Sequence, residues 1–184
     1  MTISDAEVAR TAARAGADVV RAGFGTPQAR MEKTGGDFAT AADLESERAV
    51  LDVIRAARPG DAVIGEESGR TGAAGAERVW LVDPLCGTLN YAARTMLAAV
   101  NVALRVGRDV TVAASADPFA GEVFWTDGAH AFVWRAHAAE PPGNRRQLGA
   151  GACAGLLSRR PAGAGACAGL LSRRPAGAGR VRAS

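Results

Sequence analysis

The hydrophobic period of this chain changes at Pro59-Gly60, and that change limits what it can fold into more than any other feature. Before it, apolar residues return every three or four positions through AEVARTAARAGADVVRAG and again from about Asp43 to Arg58. That is the period of helices with one buried stripe. Ser4 or Asp5 can cap the first helix and the Gly23 region ends it, while Pro59 and Gly60 stop the second. Beyond them come the short runs AVIGEE, VWLVDPL, VNVALRV, VTVAASAD, EVFWTD and AFVWR, most separated by turn residues such as Gly107-Arg108-Asp109 or Asp127-Gly128. Helices first and strands after predict an α+β chain, two N-terminal helices packed on a largely antiparallel sheet. PQARMEKTGGDFAT, between the helices, reads as a polar loop. Trp80, Trp125 and Trp134 fall within strand runs and are expected in the core.

A chain of 184 residues with 48% hydrophobic content can bury one good core, so one domain is expected. Its C-terminal stretch has a different character. GAGACAGLLSRRPA occupies residues 149–162 and recurs without a difference at 163–176. Solenoid repeats have longer units that drift at surface positions, so identity over this short period points to an in-frame duplication. The unit is small-residue-rich and lacks aromatics, and it buries too little to offset its ordering entropy. We therefore divide the chain into a domain at 1–140 and a low-complexity Gly/Ala/Arg tail at 141–184, expected to be disordered, in preference to reading an arginine arm for nucleic acid or lipid. Eight of the 22 basic residues and none of the 19 acids lie in that tail, so residues 1–140 carry 14 basic and 19 acidic side chains. An acidic domain is poorly suited to a nucleic-acid backbone and well suited to holding cations beside an anionic substrate.

Cys86, Cys153 and Cys167 cannot form a disulfide framework, and the last two are copies of each other. MTISDAEVAR lacks a basic flank followed by an apolar run, and no stretch approaches the ~18 apolar residues a spanning helix needs. A cytoplasmic protein with no membrane and no nucleic-acid partner is expected.

Carboxylates gather in three segments, GDFATAAD, GEESG and DPLCGTLNY. Asp83 ends the apolar run VWLVD, and Pro84 should stop the ladder there, presenting the carboxylate at a strand end. Gly87-Thr88 permits a tight turn whose N–H groups can face an anion, and a helix can begin near Leu89. Glu66 and Glu67 follow the short run AVIG. Carboxylates from two strand ends repel unless a cation joins them, and oxygen-only ligands select Mg²⁺ or Mn²⁺. Cys86 reads as a small apolar thiol packed under the turn in preference to a thiol-phosphatase nucleophile, because position 92 is alanine where such a loop needs arginine, and no histidine precedes it. His130 and His137 lie beyond these motifs without partners and read as surface or hairpin residues.

In order and spacing, GDFATAAD, GEES and WLVDPLCGTLNY resemble the signature of the inositol monophosphatase family, D-x-V-T-x-x-D, G-E-E-S and W-x-x-D-P-[IL]-D-G-T-x-N-F. The resemblance covers about residues 5–135. It implies the family's sugar-phosphatase fold and Mg²⁺-dependent hydrolysis of a phosphomonoester on a small polyol or sugar. By that resemblance Glu67, Asp83 and the Leu85 carbonyl would hold a first metal, and Asp83 would bridge to a second. Asp43 and Thr88 would orient the attacking water, and the amides of Gly87 and Thr88 would receive the phosphate. Lys33 stands near the family's loop lysine, one residue closer to Asp37 than the pattern has it.

Two departures accompany the match. Cys86 replaces the second aspartate of D-P-x-D-G-T, a second-metal ligand that also touches the substrate hydroxyl. A thiol is ill matched to Mg²⁺, although as a thiolate it could favour Zn²⁺. The family's W-D-x-A-A segment, with its other second-metal aspartate, is not found. The resemblance thus implies a truncated member with weak or impaired turnover on a small phosphorylated metabolite, or a non-catalytic pseudo-phosphatase that binds metal or a partner. An uncovered apolar face would add a homodimer or other self-association.

Overall fold

The computed structural model describes residues 3–27, 30–32, 38–136 and 146–148. Lys33, His137, Cys153, Cys167 and the duplicated 14-residue unit lie outside the described residues, as does the tail expected to be disordered apart from residues 146–148, which form a strand.

Helix α1 runs Asp5–Gly23. Ser4 and Glu7 form a capping box that satisfies two N–H groups the first turn would leave unpaired. Its buried stripe of Ala6, Val8, Ala9, Ala12, Ala13, Ala17 and Val20 is mostly alanine, so a neighbouring helix can approach closely. That neighbour is α2, Ala41–Ala57. Gly16 marks the crossing, where a Cβ would come within 2.7 Å of Ser46 Oγ and 2.8 Å of Val50 Cγ2.

Between the helices, where a loop was expected, strands β1 (Arg30–Glu32) and β2 (Phe38–Thr40) pair as an antiparallel hairpin. Three-residue strands of mixed polarity leave too short a pattern to read from sequence.

The main sheet contains β3 (Ala62–Gly65), β4 (Gly69–Thr71), β5 (Arg78–Cys86), β6 (Ala99–Val106), β7 (Asp109–Asp117), β8 (Glu122–Thr126), β9 (Ala131–Arg135) and β10 (Arg146–Leu148). Their order is β10-β9-β8-β7-β6-β5-β3-β4, and every neighbouring pair is antiparallel except β3 with β5. The α+β architecture on a mostly antiparallel sheet agrees with the sequence reading. β4 and β10 were not anticipated, and β10 lies beyond residue 140, inside the stretch assigned to the tail.

Alternation along the strands divides the core. Trp80 and Val82, Val100, Val102 and Leu104, and Val112 and Ala114 face the helices in one large cluster with Ile54 and Trp125. Val79, Leu81, Ala103 and Ala113 point to the opposite face and form a smaller cluster. Trp80 and Trp125 are buried as expected, while Trp134 is partly buried with the Arg14 guanidinium 4.5 Å above its ring. His130 is exposed in the β8–β9 turn, its Nδ1 3.7 Å from Asp127. Among the described residues no helix is long and apolar enough to cross a membrane.

Candidate active site

The parallel pair β3 and β5 decides where the motifs meet. Gly65 lies opposite Val82, and the Glu66 N–H donates to the Val82 carbonyl at 3.2 Å. Two parallel neighbours end at the same edge, so Glu66 and Glu67 leave β3 beside Asp83. The AVIGEE run is strand only to Gly65. Glu66, Glu67 and Ser68 then turn the chain back into β4.

Contrary to the sequence expectation, β5 does not stop at Pro84. It continues to Cys86 through a register shift between Asp83, which faces Asn101, and Cys86, which faces Ala99. A bulge can hold a proline because no ladder bond is asked of it there. Asp83 is 6% exposed and accepts a 3.4 Å hydrogen bond from Asn101 Nδ2. Cys86 is a free, half-buried thiol at the strand's end.

Gly87 follows with φ 98°, the left-handed region that favours glycine, and a Cβ there would meet the Leu97 carbonyl at 2.7 Å. The helical turn α3, Thr88–Ala92, begins at once. Thr88 Oγ1 lies 3.0 Å from Asp43 Oδ1 and 3.1 Å from the Leu85 carbonyl, so one hydroxyl proton faces two acceptors.

One face of α2 supplies the other half of the site. Asp43, Ser46 and Glu47 occupy positions i, i+3 and i+4, and all are buried. Asp43 Oδ2 accepts the Thr40 N–H at 2.7 Å and the Thr40 hydroxyl at 2.6 Å, while its Oδ1 takes Thr88. Ser46 Oγ donates to the Pro84 carbonyl at 2.7 Å. Glu47 accepts the N–H groups of Glu67 and Ser68, both at 2.8 Å. Tyr91 closes the rear, donating to the Val20 carbonyl at 2.9 Å. Burial raises its pKa, and the negative charges of Asp43 and Glu45 add to the shift.

The structure thus brings Asp43, Glu67, Asp83, Leu85, Cys86, Gly87 and Thr88 to one end of the sheet. Lys33 and Asp37 lie outside the described residues. Sequence reasoning missed Ser46 and Glu47. The available signal was two polar side chains on the stripe that Val50 and Ile54 continue into the core.

Two carboxylates and a carbonyl, all oxygen and mostly shielded from solvent, suit one hard cation. Among the described residues no three His, Cys, Asp or Glu side chains converge closely enough to hold a metal by themselves. A cation here would therefore draw on the Leu85 carbonyl and on solvent or substrate oxygens.

Residues 4–180 match the model of the inositol monophosphatase family. An inositol-1-monophosphatase from Caulobacter vibrioides is 35% identical over 104 residues, 55% of this chain and 41% of that one. A fructose-1,6-bisphosphatase/inositol-1-monophosphatase from Aquifex aeolicus is 37% identical over 130 residues, 69% of this chain and 49% of the other. Among solved structures, an inositol monophosphatase from Anabaena superposes with a TM-score of 0.59 at 32% identity, covering 70% of this chain and 46% of that one. The chain spans about half the length of the curated relatives it matches.

Proposed function

This chain belongs to the inositol monophosphatase family, and on that premise we propose that it is a metal-dependent phosphomonoester hydrolase for a small polyol or sugar phosphate, with turnover weakened by Cys86. The observation that carries the reading is the Thr88 hydroxyl held 3.0 Å from the buried Asp43 carboxylate, at the strand end that also bears Asp83. When the hydroxyl donates to Asp43, its lone pairs are left to accept a proton from water. Thr88 and Asp43 then orient the water and draw off its proton as the water oxygen bonds to phosphorus and the ester P–O bond breaks, the departing alkoxide taking a proton from solvent to leave as the alcohol. The Gly87 and Thr88 amides receive the phosphate.

Glu67, Asp83 and the Leu85 carbonyl would hold the cation, Mg²⁺ in preference and Mn²⁺ or Zn²⁺ as substitutes. Bound there, it supplies Lewis-acid polarisation of the phosphoryl and leaving oxygens. Asp83 would serve a second ion only as a bridge, because the family's neighbouring aspartate is Cys86 here.

Cys86 also favours a second reading, a pseudo-phosphatase that keeps one metal or a partner and has lost turnover. Phosphate release from inositol phosphate and an aryl phosphate, with and without Mg²⁺, separates the two. We expect slow Mg²⁺-dependent release, none from Asp83→Asn, and about tenfold more from Cys86→Asp, the rate equivalent of ~1.4 kcal/mol at the transition state. Silence in all three proteins would leave the pseudo-phosphatase reading standing. Activity that survives Asp83→Asn would overturn the site assignment.

A further inference from the structure

Glu47 is 3% exposed, and both of its carboxylate oxygens are spent on the backbone of the turn after β3. Burying a carboxylate is costly unless it is well paired, and two 2.8 Å bonds from N–H donors are the charge-assisted kind that offsets the cost. A mere tether between α2 and the sheet does not need a charge. One residue earlier on the same helix, Ser46 ties α2 to Pro84 with a neutral hydroxyl.

Glu47 fixes direction as well as distance. The Glu66 N–H is held by Val82, and those of Glu67 and Ser68 by Glu47, so three successive peptide units are pinned. Glu67 sits in the middle of this pinned segment, which leaves β3 where the parallel neighbour β5 reaches Asp83. Gly65 is part of the same device, because a Cβ there would lie 2.7 Å from the Glu47 carboxylate carbon and from both its oxygens.

We propose that Glu47 is a positioning residue that clamps the Glu66–Ser68 turn and so aims the Glu67 carboxylate at the cation held with Asp83 and Leu85. The proposal rests on the metal reading above. Outer partners that orient metal ligands matter to affinity even though they never touch the ion.

The test is Mn²⁺ titration of the full chain by calorimetry, paired with hydrogen exchange at the Glu67 and Ser68 amides. Glu47→Gln keeps the shape but puts an NH₂ against one of the two N–H donors. It should weaken Mn²⁺ binding by about tenfold or more and speed exchange at those two amides while β6 and β7 amides keep their protection. Val50→Ala, a cavity in the same helix away from the turn, should lower stability and leave Mn²⁺ affinity unchanged. Should Glu47→Gln fail to fold, Gly65→Ala carries the same expectation by displacing the carboxylate. Equal Mn²⁺ affinity in wild type and Glu47→Gln, or equal losses in Glu47→Gln and Val50→Ala, would overturn the clamp alone. No Mn²⁺ binding by the wild type would instead bring down the metal reading, and the clamp with it.

Discussion

Thr88 and Asp43 show how much a single side chain carries in this site. Asp43 is 2% exposed and meets Thr40 with one oxygen and Thr88 with the other. Replacing Thr88 by valine keeps the volume but leaves Asp43 Oδ1 and the Leu85 carbonyl without that donor. An unsatisfied buried acceptor costs about 1–3 kcal/mol, so Thr88→Val should lower the urea midpoint and abolish any phosphate release. Retained activity would show that the hydroxyl does not handle the water. Asp43 and Thr88 could be singled out from the sequence because each sits in a spaced motif, and the structure places the two in hydrogen-bond contact. Glu47 was not, because one glutamate among four acids in ADLESERAVLD looks like an ordinary solvated helix face. Only its helical offset from Asp43 hints that it points inward.

At the scale of elements, the first helix is positioned by packing at one point and by charge at another. Gly16 lets α1 cross α2 closely, and Gly16→Ala would force its Cβ into Ser46 and Val50. Overpacking of this kind costs about 1–3 kcal/mol, which would outweigh alanine's better helix propensity and appear as a lower denaturation midpoint. Near its N-terminus, Asp5 accepts Arg58 Nε at 2.8 Å and Arg78 Nη2 at 3.1 Å, joining the start of α1 to the end of α2 and the start of β5. Arg78 also pairs with Asp61, which in turn accepts Trp80 Nε1 at 2.9 Å. Partial burial works to raise the Asp5 pKa, but the hydrogen bonds and charges of Arg78 and Arg58 outweigh it and hold the carboxyl below its ordinary 3.8. A depressed carboxylate pKa contributes stability that is complete above the unfolded value and fades as pH falls through the folded one. The stability gap between wild type and Asp5→Asn should therefore be constant above about pH 5 and shrink below about pH 4. A gap that persists at low pH would show that the ion pairs are not its source. The helices themselves were readable, since a capping serine, a 3.6-residue period and a Pro-Gly stop are local signals. The β1–β2 hairpin and β4 were not, since three-residue strands exist only through the partner that pairs with them.

For the molecule as a whole, the apolar surface bears on assembly. Leu89, Met96 and Leu97 are 67%, 64% and 70% exposed, on α3 and the loop that follows it. Exposed apolar side chains close together favour association, so we expect apparent mass in light scattering to rise with concentration and Leu97→Glu to suppress the rise. A concentration-independent monomer would count against it. The class of the fold and the motifs that mark the candidate site were both set by local sequence. Carboxylates at run ends, a glycine that can take positive φ and the switch from helical to strand period depend on neighbours a few residues apart. Sequence alone could not say that β3 runs parallel to β5 inside an otherwise antiparallel sheet, or that β5 passes Pro84 through a bulge. Those facts bring the turn after β3 beside the end of β5, and the α2 stripe sets Asp43 against Thr88 and Glu47 against the Glu67 and Ser68 amides. Register and strand order are fixed by hydrogen bonds between segments far apart in the chain and by which faces can be buried together, so they were decided only when the whole sheet and both helices were packed.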